Sequence, residues 1–284
     1  MKQLSLKKWN WSIGEGAPLA YMLGLNVLED EQLALETGQE LQRIFRALGR
    51  TYVFKASFDK ANRSSIKSYR GAGIELGLEI LETVKGKLNV PVITDVHAPE
   101  QCESVAQVAD LVQIPAFLCR QTDLVVAAAR AVESSGGLLH VKKGQFLAPW
   151  DCRNILSKVK EAAPSRDLTV LCERGVSFGY NNLVVDMLGI PEMRGLGAPV
   201  TIDATHAVQL PGAGKGNGGE NTATGGRRSG VETLALAAVA SGADGVFLEF
   251  HPDPDRAKCD GPSAWPLRDA ERLIRRIEAV RNAL

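Results

Sequence analysis

Eight short apolar runs, rich in β-branched residues, recur along the 284-residue chain, and polar or glycine-containing sequence ends each of them. Their residues are continuously apolar and do not alternate, so each run predicts a strand buried on both faces, as in a parallel sheet. The predicted strands are Leu19–Asn26, Thr51–Ser57, Pro91–Val96, Leu111–Ala116, Leu138–Lys143, Leu168–Glu173, Pro199–Ala204 and Gly245–Phe250.

Helical periodicity follows every predicted strand. The predicted helices are Glu31–Leu48, Gly73–Lys87, Pro99–Val108, Gln121–Ser134, Cys152–Ala162, Leu183–Leu188, Val231–Ser241 and Asp269–Val280. Eight β/α repeats without a linker favour an α/β fold of one domain over residues 1–284, a closed (β/α)8 TIM barrel, over an open doubly wound sheet. Residues 1–13 contain a predicted short N-terminal β-hairpin, Gln3–Ile13, which would cover the barrel floor with Asn10 and Trp11 near its turn.

The segment 211–226 departs from this pattern, because seven of its sixteen residues are glycine. Glycine at that density carries maximal backbone entropy and predicts no stable local structure. The segment follows the seventh predicted strand, and active sites in (β/α)8 barrels lie on such loops. We therefore interpret 211–226 as a mobile active-site loop, with a tolerated surface insertion as the alternative.

Charge and composition exclude several classes of function. Lys and Arg total 33, as do Asp and Glu, so the formal net charge is zero and argues against electrostatically driven nucleic-acid binding. No apolar run approaches the ~18–20 residues that span a bilayer, and the amino terminus lacks the apolar core of a signal peptide. Five scattered cysteines without a CxxC spacing are typical of reduced thiols. A cytoplasmic protein without membrane partners is expected.

Polar residues cluster at the carboxyl ends of the predicted strands, which converge on one mouth of a barrel. Seven of them are cations: Lys55, Lys60, Arg63, Arg120, Lys142, Lys143 and Arg174. Any one of these could pair with a neighbouring carboxylate, but seven together are costly to bury unless an anion compensates them. The mouth is therefore predicted to bind a polyanionic ligand.

The densest polar segment is Lys55–Ser65, KASFDKANRSS, which combines two lysines with successive hydrogen-bond donors. It lacks the GxxxxGK[ST] spacing of a nucleotide phosphate loop. A phosphorylated sugar or a phosphorylated carboxylic acid would satisfy such a cluster.

Motifs spread over nearly the whole chain resemble one enzyme family. They are VFKASFDKANRSS (53–65), ITDVH (93–97), QIPAFLCRQTDL (113–124), KKGQF (142–146), CERG (172–175), FGYNNLVVDM (178–187), DATHAVQ (203–209), HPDP (251–254) and CDGPSAWPL (259–267). In this order they resemble the 3-deoxy-D-manno-octulosonate-8-phosphate synthases, which condense phosphoenolpyruvate with D-arabinose 5-phosphate. The resemblance implies a (β/α)8 barrel and a homotetramer.

The resemblance also implies roles for individual positions. Those matching the phosphoenolpyruvate site are Lys55, Ser57, Lys60, Gln113, Lys142, Gln145 and Arg174. Those matching the arabinose 5-phosphate site are Asn62, Arg63 and Ser64, with Phe117 and Arg120 contributed by a neighbouring subunit. Asp95, at the same mouth, is a further candidate for substrate binding. The KANRSS sequence differs from the KPRTS of the related erythrose-4-phosphate enzymes and favours the five-carbon sugar.

The end of the first strand bears on metal use, because Asn26 stands where metal-requiring members of the family have Cys. Their other three metal ligands match His206, Glu249 and Asp260. A neutral amide does not supply the soft anionic ligand that favours transition metals, so no required metal or other cofactor is expected. The residues predicted to take part in catalysis are Asn26, Lys60, His206, Glu249 and Asp260.

Three alternatives remain open from the sequence. One is a Schiff-base aldolase with Lys142 as the nucleophile, although Lys143 and Gln145 beside it suit an anion better than an imine. Another is a non-catalytic phosphosugar sensor, which would not need a converging His206, Glu249 and Asp260. The third is the erythrose-4-phosphate enzyme.

Overall fold

The computed structural model describes residues 3–214 and 223–284. In chain order the strands are β1 (Leu4–Leu6), β2 (Trp11–Ile13), β3 (Ala20–Val27), β4 (Val53–Ser57), β5 (Val92–Asp95), β6 (Leu111–Ile114), β7 (Leu138–Lys142), β8 (Thr169–Glu173), β9 (Val176–Ser177), β10 (Leu183–Val184), β11 (Val200–Asp203), β12 (Gln209–Gly214), β13 (Ala223–Gly226), β14 (Gly245–His251) and β15 (Trp265–Pro266). The α-helices are α1 (Glu31–Ala47), α2 (Ile74–Leu88), α3 (Cys102–Val108), α4 (Thr122–Ser135), α5 (Cys152–Ala162), α6 (Gly189–Arg194), α7 (Gly230–Ala240) and α8 (Ala270–Asn282).

The eight predicted strands form a closed parallel barrel. Strands β3 to β8 pair in sequence, β8 pairs with β11, and β14 pairs with both β11 and β3 and so closes the ring. All eight residues of β3 are buried, as the continuous apolar pattern predicted. The (β/α)8 prediction is confirmed. No helix within the described ranges is long and apolar enough to cross a membrane.

A glycine in the first barrel strand sets the spacing to the second. Gly24 of β3 lies opposite Lys55 of β4, and a Cβ atom at Gly24 would collide with the Lys55 backbone. The absence of a side chain therefore lets β3 and β4 lie close enough to place Asn26 and Lys55 side by side at the mouth.

The predicted N-terminal hairpin is confirmed. Strands β1 and β2 pair antiparallel, with Asn10 in the left-handed conformation at the connection. Leu4, Leu6, Trp11 and Ile13 are buried. Trp9 Nε1 donates to Asp110 Oδ1 at 2.7 Å, just before β6 begins, so the hairpin lies against the amino-terminal end of the barrel.

The helix predicted at Leu183–Leu188 is wrong. Residues 183–184 form β10, which pairs with β9, and the helix α6 begins only at Gly189. Gly179 and Asn181 have positive φ angles and make the turn between β9 and β10. Pro191 lies in the first turn of α6, where its missing N–H would have no helical partner in any case.

The glycine-rich segment is more ordered at its ends than its composition predicts. Residues 209–214 and 223–226 pair as the antiparallel strands β12 and β13. Gly226 has no room for a side chain, since a Cβ atom there would contact Pro262 and Ser263. Residues 215–222, the centre of the predicted mobile loop, lie outside the described residues.

Candidate active site

A cavity of about 160 Å³ opens at the carboxyl ends of the barrel strands. Its lining residues are Lys60, Ala61, Asn62, Asp95, His97, Gln113, Pro115, Ala116, Phe117, Leu118, Lys142, Gln145, Arg174 and His206. The cavity is therefore shared by Lys60, Lys142 and Arg174, although Lys60 and Arg174 are more than 100 positions apart in the sequence. The cavity wall thus holds three of the seven cations that the sequence assigned to a single mouth.

Lys55 and Glu249 form a fully buried ion pair at this mouth. The Lys55 ammonium also donates to the carbonyl oxygens of Asn26 at 2.8 Å and of Leu25 at 3.2 Å. Burial lowers the pKa of Lys55 to about 8, against the opposing effect of Glu249. Burial alone would raise the pKa of Glu249, but His206 and Lys55 bring it down to about 2.

Asn26 joins this pair to the loop that follows β14. Its Nδ2 donates to Glu249 and, at 3.1 Å, to Asp260 Oδ2, and it lies 3.5 Å from His206 Nε2. If the Asn26 amide were flipped, its oxygen would face the Glu249 and Asp260 carboxylates. Electrostatic repulsion therefore favours the orientation in which Nδ2 faces them. The four residues predicted from the resemblance to share one place, Asn26, His206, Glu249 and Asp260, do so.

Asp203, Lys142 and His206 make a second buried cluster. Asp203 Oδ2 lies 2.6 Å from Lys142 Nζ and 2.7 Å from His206 Nδ1. Burial would raise the pKa of Asp203, yet His206 and Lys142 hold it well below its usual range. Since Nδ1 faces Asp203, the Nε2 atom of His206 points towards Glu249 and Asp260, at 3.5 and 3.7 Å.

Arg174 is a buried cation with few hydrogen-bond partners in the described part of the chain. Its side chain is only 5% exposed, and Nη2 donates to Gln209 Oε1 at 2.9 Å. Its Nε and Nη1 atoms are buried and hydrogen-bond to nothing in the described part of the chain. The Glu173 carboxylate accepts from the backbone N–H groups of Arg174 and Gly175 and lies 3.5 Å from Lys143 Nζ. Two free donors on a buried cation that lines a cavity mark a place for an anion.

Ser57, Asp95 and His97 connect in a chain beside Lys60. Ser57 Oγ donates to Asp95 Oδ1, and the other carboxylate oxygen lies 3.0 Å from His97 Nε2. Burial works against the charge on Lys60, but Glu249 and Asp95 overcome it and raise the Lys60 pKa. Lys60 is thereby kept as an ammonium at the cavity wall.

The loop after β14, residues 252–264, is tied down on both sides of Asp260, which has a φ of +49°. Such a strained backbone conformation is kept only where several surrounding contacts hold it in place. The Lys258 N–H donates to Glu29 Oε1 at 3.0 Å, and Arg228 Nη2 donates to the Gly261 oxygen at 2.8 Å. Sequence reasoning missed Glu29 and Arg228, because their partners in this loop lie 229 and 33 positions away along the chain.

The remaining predicted residues lie around the rim. Arg63 Nη1 contacts Cys259 Sγ at 2.7 Å, and Ser64 is exposed on the same segment. Phe117 lines the cavity and is still 50% exposed, whereas Arg120 is exposed and lies outside the cavity wall. Within one copy of the chain, Arg63, Ser64 and Arg120 are therefore not brought into the cavity.

The donor set around Asn26 does not fit a transition metal. The atom that faces Glu249, Asp260 and His206 is an amide nitrogen that donates hydrogen bonds, and an amide nitrogen in that role has no lone pair for a cation. Among residues 3–214 and 223–284, no group of three or more His, Cys, Asp or Glu side chains is arranged to hold a metal ion. We derive no catalytic step through a metal.

A closed (β/α)8 barrel with buried, partly unpaired cations around a small cavity at its carboxyl mouth defines a TIM-barrel protein with a site suited to an anion. The chain belongs to the DAHP synthetase I family, whose model matches residues 2–283. It is 52% identical over 268 residues to the 2-dehydro-3-deoxyphosphooctonate aldolase of Shewanella piezotolerans, a match that covers 94% of this chain and 91% of that protein. The 2-dehydro-3-deoxyphosphooctonate aldolase of Trichlorobacter lovleyi is 51% identical over 268 residues, or 94% of each chain.

Proposed function

We propose that this enzyme condenses phosphoenolpyruvate with D-arabinose 5-phosphate and water to give 3-deoxy-D-manno-octulosonate 8-phosphate and inorganic phosphate, a step towards lipopolysaccharide precursors. The relatives named 2-dehydro-3-deoxyphosphooctonate aldolase match over nearly the whole chain, so the same activity is the natural inference. The observation that carries it is Arg174, buried with two free donors on a cavity that it shares with Lys60 and Lys142.

The cavity suits phosphoenolpyruvate, which carries a phosphate and a carboxylate on three carbons. Arg174, Lys142 and Lys60 supply charged donors, and Gln113 and Gln145 supply amides. Lys55 lies behind them and Ser57 fixes Asp95 by a hydrogen bond. These groups hold two anionic ends of one small molecule against their mutual repulsion, and so orient its C3 atom towards the second substrate.

Arabinose 5-phosphate takes the outer part of the mouth in this proposal. Asn62 lines the cavity, and Arg63 and Ser64 follow on the same segment. The sugar phosphate would reach Phe117 and Arg120 of an adjacent copy.

In the reaction, C3 of phosphoenolpyruvate attacks C1 of the aldehyde and forms the new C–C bond. Water adds at C2, where positive charge develops, and the C2–O bond to phosphate then breaks to release inorganic phosphate. The former aldehyde oxygen gains a proton. Lys60, held as an ammonium at the cavity wall, and His206, whose Nδ1 is fixed by Asp203, are the candidate donors.

The water is oriented by the cluster of Asn26, Glu249 and Asp260 in this proposal. Asn26 spans both carboxylates through one amide nitrogen, which leaves its Oδ1 atom buried without a hydrogen-bond partner within the described ranges. That free acceptor and the two carboxylates can accept hydrogen bonds from a water or from sugar hydroxyls. We infer that the enzyme requires no metal, because the Asn26 amide occupies the centre of the cluster.

We infer a homotetramer, as the family resemblance implies, and the apolar surface near the mouth supports contact with another copy. Phe117, Phe146, Trp150, Phe178 and Leu188 are each at least half exposed, and they follow β6, β7, β9 and β10. Large side chains exposed together favour burial against another copy. The cytoplasmic location is supported by the five cysteines, which are free and buried.

A Schiff-base mechanism on Lys142 is disfavoured by its surroundings. Its Nζ lies 2.6 Å from the Asp203 carboxylate, so the amine is engaged in an ion pair and is not free to attack a carbonyl.

Release of phosphate from phosphoenolpyruvate tests the function. The assay compares arabinose 5-phosphate, ribose 5-phosphate and erythrose 4-phosphate, each with and without a strong chelator. We expect turnover with arabinose 5-phosphate that the chelator leaves unchanged. Preference for erythrose 4-phosphate would assign the other branch of the family, and loss of activity with chelator would refute metal independence.

Arg63→Ala tests the division of the mouth. The apparent KM for arabinose 5-phosphate should rise about tenfold or more, the cost of one charge-assisted hydrogen bond, while the KM for phosphoenolpyruvate changes little. Equal effects on both KM values would refute the assignment of Arg63 to the sugar.

A further inference from the structure

Beneath the cations, inside the barrel, three polar side chains form a fully buried set. His140 of β7 lies between Gln113 of β6 and Thr201 of β11. Its Nδ1 atom is 3.0 Å from Gln113 Oε1, and its Nε2 atom is 2.9 Å from Thr201 Oγ1. Its ring also stacks on Phe247, with an interplanar angle of 8°. The position of the imidazole is thus fixed from three sides.

The protonation of this histidine follows from its burial. Burial, reinforced by the Lys142 ammonium, lowers the pKa of His140 to about 3, so the ring is neutral and one nitrogen carries hydrogen. If Nδ1 carries it, His140 donates to Gln113 Oε1 and Nε2 accepts from the Thr201 hydroxyl. Every contact is then satisfied. The opposite tautomer would turn the Thr201 hydroxyl to the Leu171 oxygen, which is farther away at 3.3 Å.

The tautomer determines which end of the Gln113 amide meets the cavity. When Oε1 is held by His140, the amide NH₂ group is the part left to face the ligand. A donor suits an anion, whereas an amide oxygen would repel it. Gln113 and His140 are opposite each other in the β6–β7 register, so both side chains point into the barrel interior.

We propose that His140 is a positioning residue, which locks Gln113 with its NH₂ group towards the anionic end of phosphoenolpyruvate. The inference rests on the proposed function, since that function assigns Gln113 to this substrate. His140 touches no substrate atom itself and acts only through Gln113. Thr201 completes the arrangement by donating to the far side of the ring.

Two substitutions separate positioning from packing. Asn places its Nδ2 atom near the position of His Nδ1, so His140→Asn keeps a donor for Gln113, whereas His140→Leu fills the space without one. We expect His140→Leu to raise the KM for phosphoenolpyruvate about tenfold and to leave that for arabinose 5-phosphate within about twofold. We expect His140→Asn to stay within about threefold of the unmodified enzyme. A rise of both KM values together, or equal effects of Asn and Leu, would overturn the proposal.

A double-mutant cycle tests the route through Gln113. In a Gln113→Ala background, His140→Leu should add no further increase in the KM for phosphoenolpyruvate. Additive effects would overturn the proposal while leaving the proposed function intact. If instead the unmodified enzyme released no phosphate from phosphoenolpyruvate, the proposed function itself would fail.

A measurement without turnover covers the case in which the leucine variant does not fold. The chain has four histidines, so ¹⁵N-labelled imidazoles give a small set of signals, and the one lost in His140→Asn belongs to His140. We expect that signal to report hydrogen on Nδ1. Hydrogen on Nε2 would overturn the proposal.

Discussion

Asp110 at one end of this barrel and Arg174 at the other differ in how fully their hydrogen bonds are made within the chain. At the amino-terminal floor, Asp110 accepts from Trp9 Nε1, from the Val92 N–H at 3.0 Å and pairs with Lys85 at 3.0 Å. At the carboxyl mouth, Arg174 keeps two buried donors without partners in the described structure. At the floor Asp110 finds its partners within the chain, and at the mouth Arg174 leaves donors for a ligand.

This contrast separates residues that stabilise the fold from residues that serve the reaction. A buried polar group with all its partners adds to the free energy of unfolding, whereas one without them lowers it. The floor is therefore expected to control stability and the mouth to control activity, and each of the following tests challenges that division.

Replacing Arg174 by Met is expected to give the largest effect. It removes two donors to the substrate, at about 2 kcal/mol each for bonds to a charged group, so kcat/KM for phosphoenolpyruvate should fall about a thousandfold. The free energy of unfolding should not fall, because Met replaces an unpaired buried cation with an apolar side chain of similar length. Steady-state kinetics and denaturant unfolding measure the two quantities.

Arg272→Met is the matched control, since Arg272 is half exposed and pairs with Glu232 at the surface. Both quantities should stay close to those of the unmodified enzyme. A loss of stability in Arg174→Met comparable to its loss of activity would contradict the division.

Deprotonation of Lys55 at high pH is expected to change kcat/KM less than Arg174→Met does, and to change stability and activity in opposite directions. Its pKa of about 8 lies below the ordinary lysine value of 10.5, so above pH 8 the folded protein loses this proton while the unfolded chain keeps it. The contribution of Lys55 to the free energy of unfolding therefore increases as pH rises from about 8 to 10.5. If the anion needs this ammonium, as the proposed function requires, kcat/KM for phosphoenolpyruvate should fall about tenfold per pH unit over the same range.

Measurements of kcat/KM and of denaturant unfolding between pH 7 and 10 check this prediction. The decrease in kcat should begin at a higher pH than the decrease in kcat/KM, because a bound anion favours the charged form of Lys55. A flat kcat/KM profile would show that Lys55 is not needed as a cation.

Asp110→Ala on the floor should give the smallest kinetic effect. Loss of its three contacts should reduce the free energy of unfolding by about 2 kcal/mol, and kcat/KM should stay within about twofold. Asp123→Ala, at an exposed position on α4, is the control that should change neither quantity much. A kinetic defect in Asp110→Ala would show that the two ends are coupled.

Much of the fold could be predicted because burial on both faces leaves a strong pattern in sequence. All eight barrel strands lie within two residues of their predicted bounds at each end. The helix predicted at 183–188 is wrong because strands as short as β9 and β10 have too few residues to show a period. The turn between them depends on positive φ angles at Gly179 and Asn181, which a hydrophobic pattern does not reveal.

Site residues could be predicted where they lie at or just after the end of a barrel strand, and not where they support the site from other positions. Lys60, Lys142 and Arg174 were found because strand ends share one mouth. Glu29 and Arg228, which anchor the loop that carries Asp260, act across distant elements and leave no local signal. His140 was missed for a different reason, since a histidine in mid-strand resembles any buried core residue.

The unpaired Arg174 guanidinium makes the fold itself responsive to metabolite supply. A ligand that neutralises this charge binds the native state alone, and at 100 times its Kd it adds about 2.7 kcal/mol to the free energy of unfolding. Resistance to heat should therefore track the concentration of phosphoenolpyruvate, and copies without substrate should be the first that proteases remove.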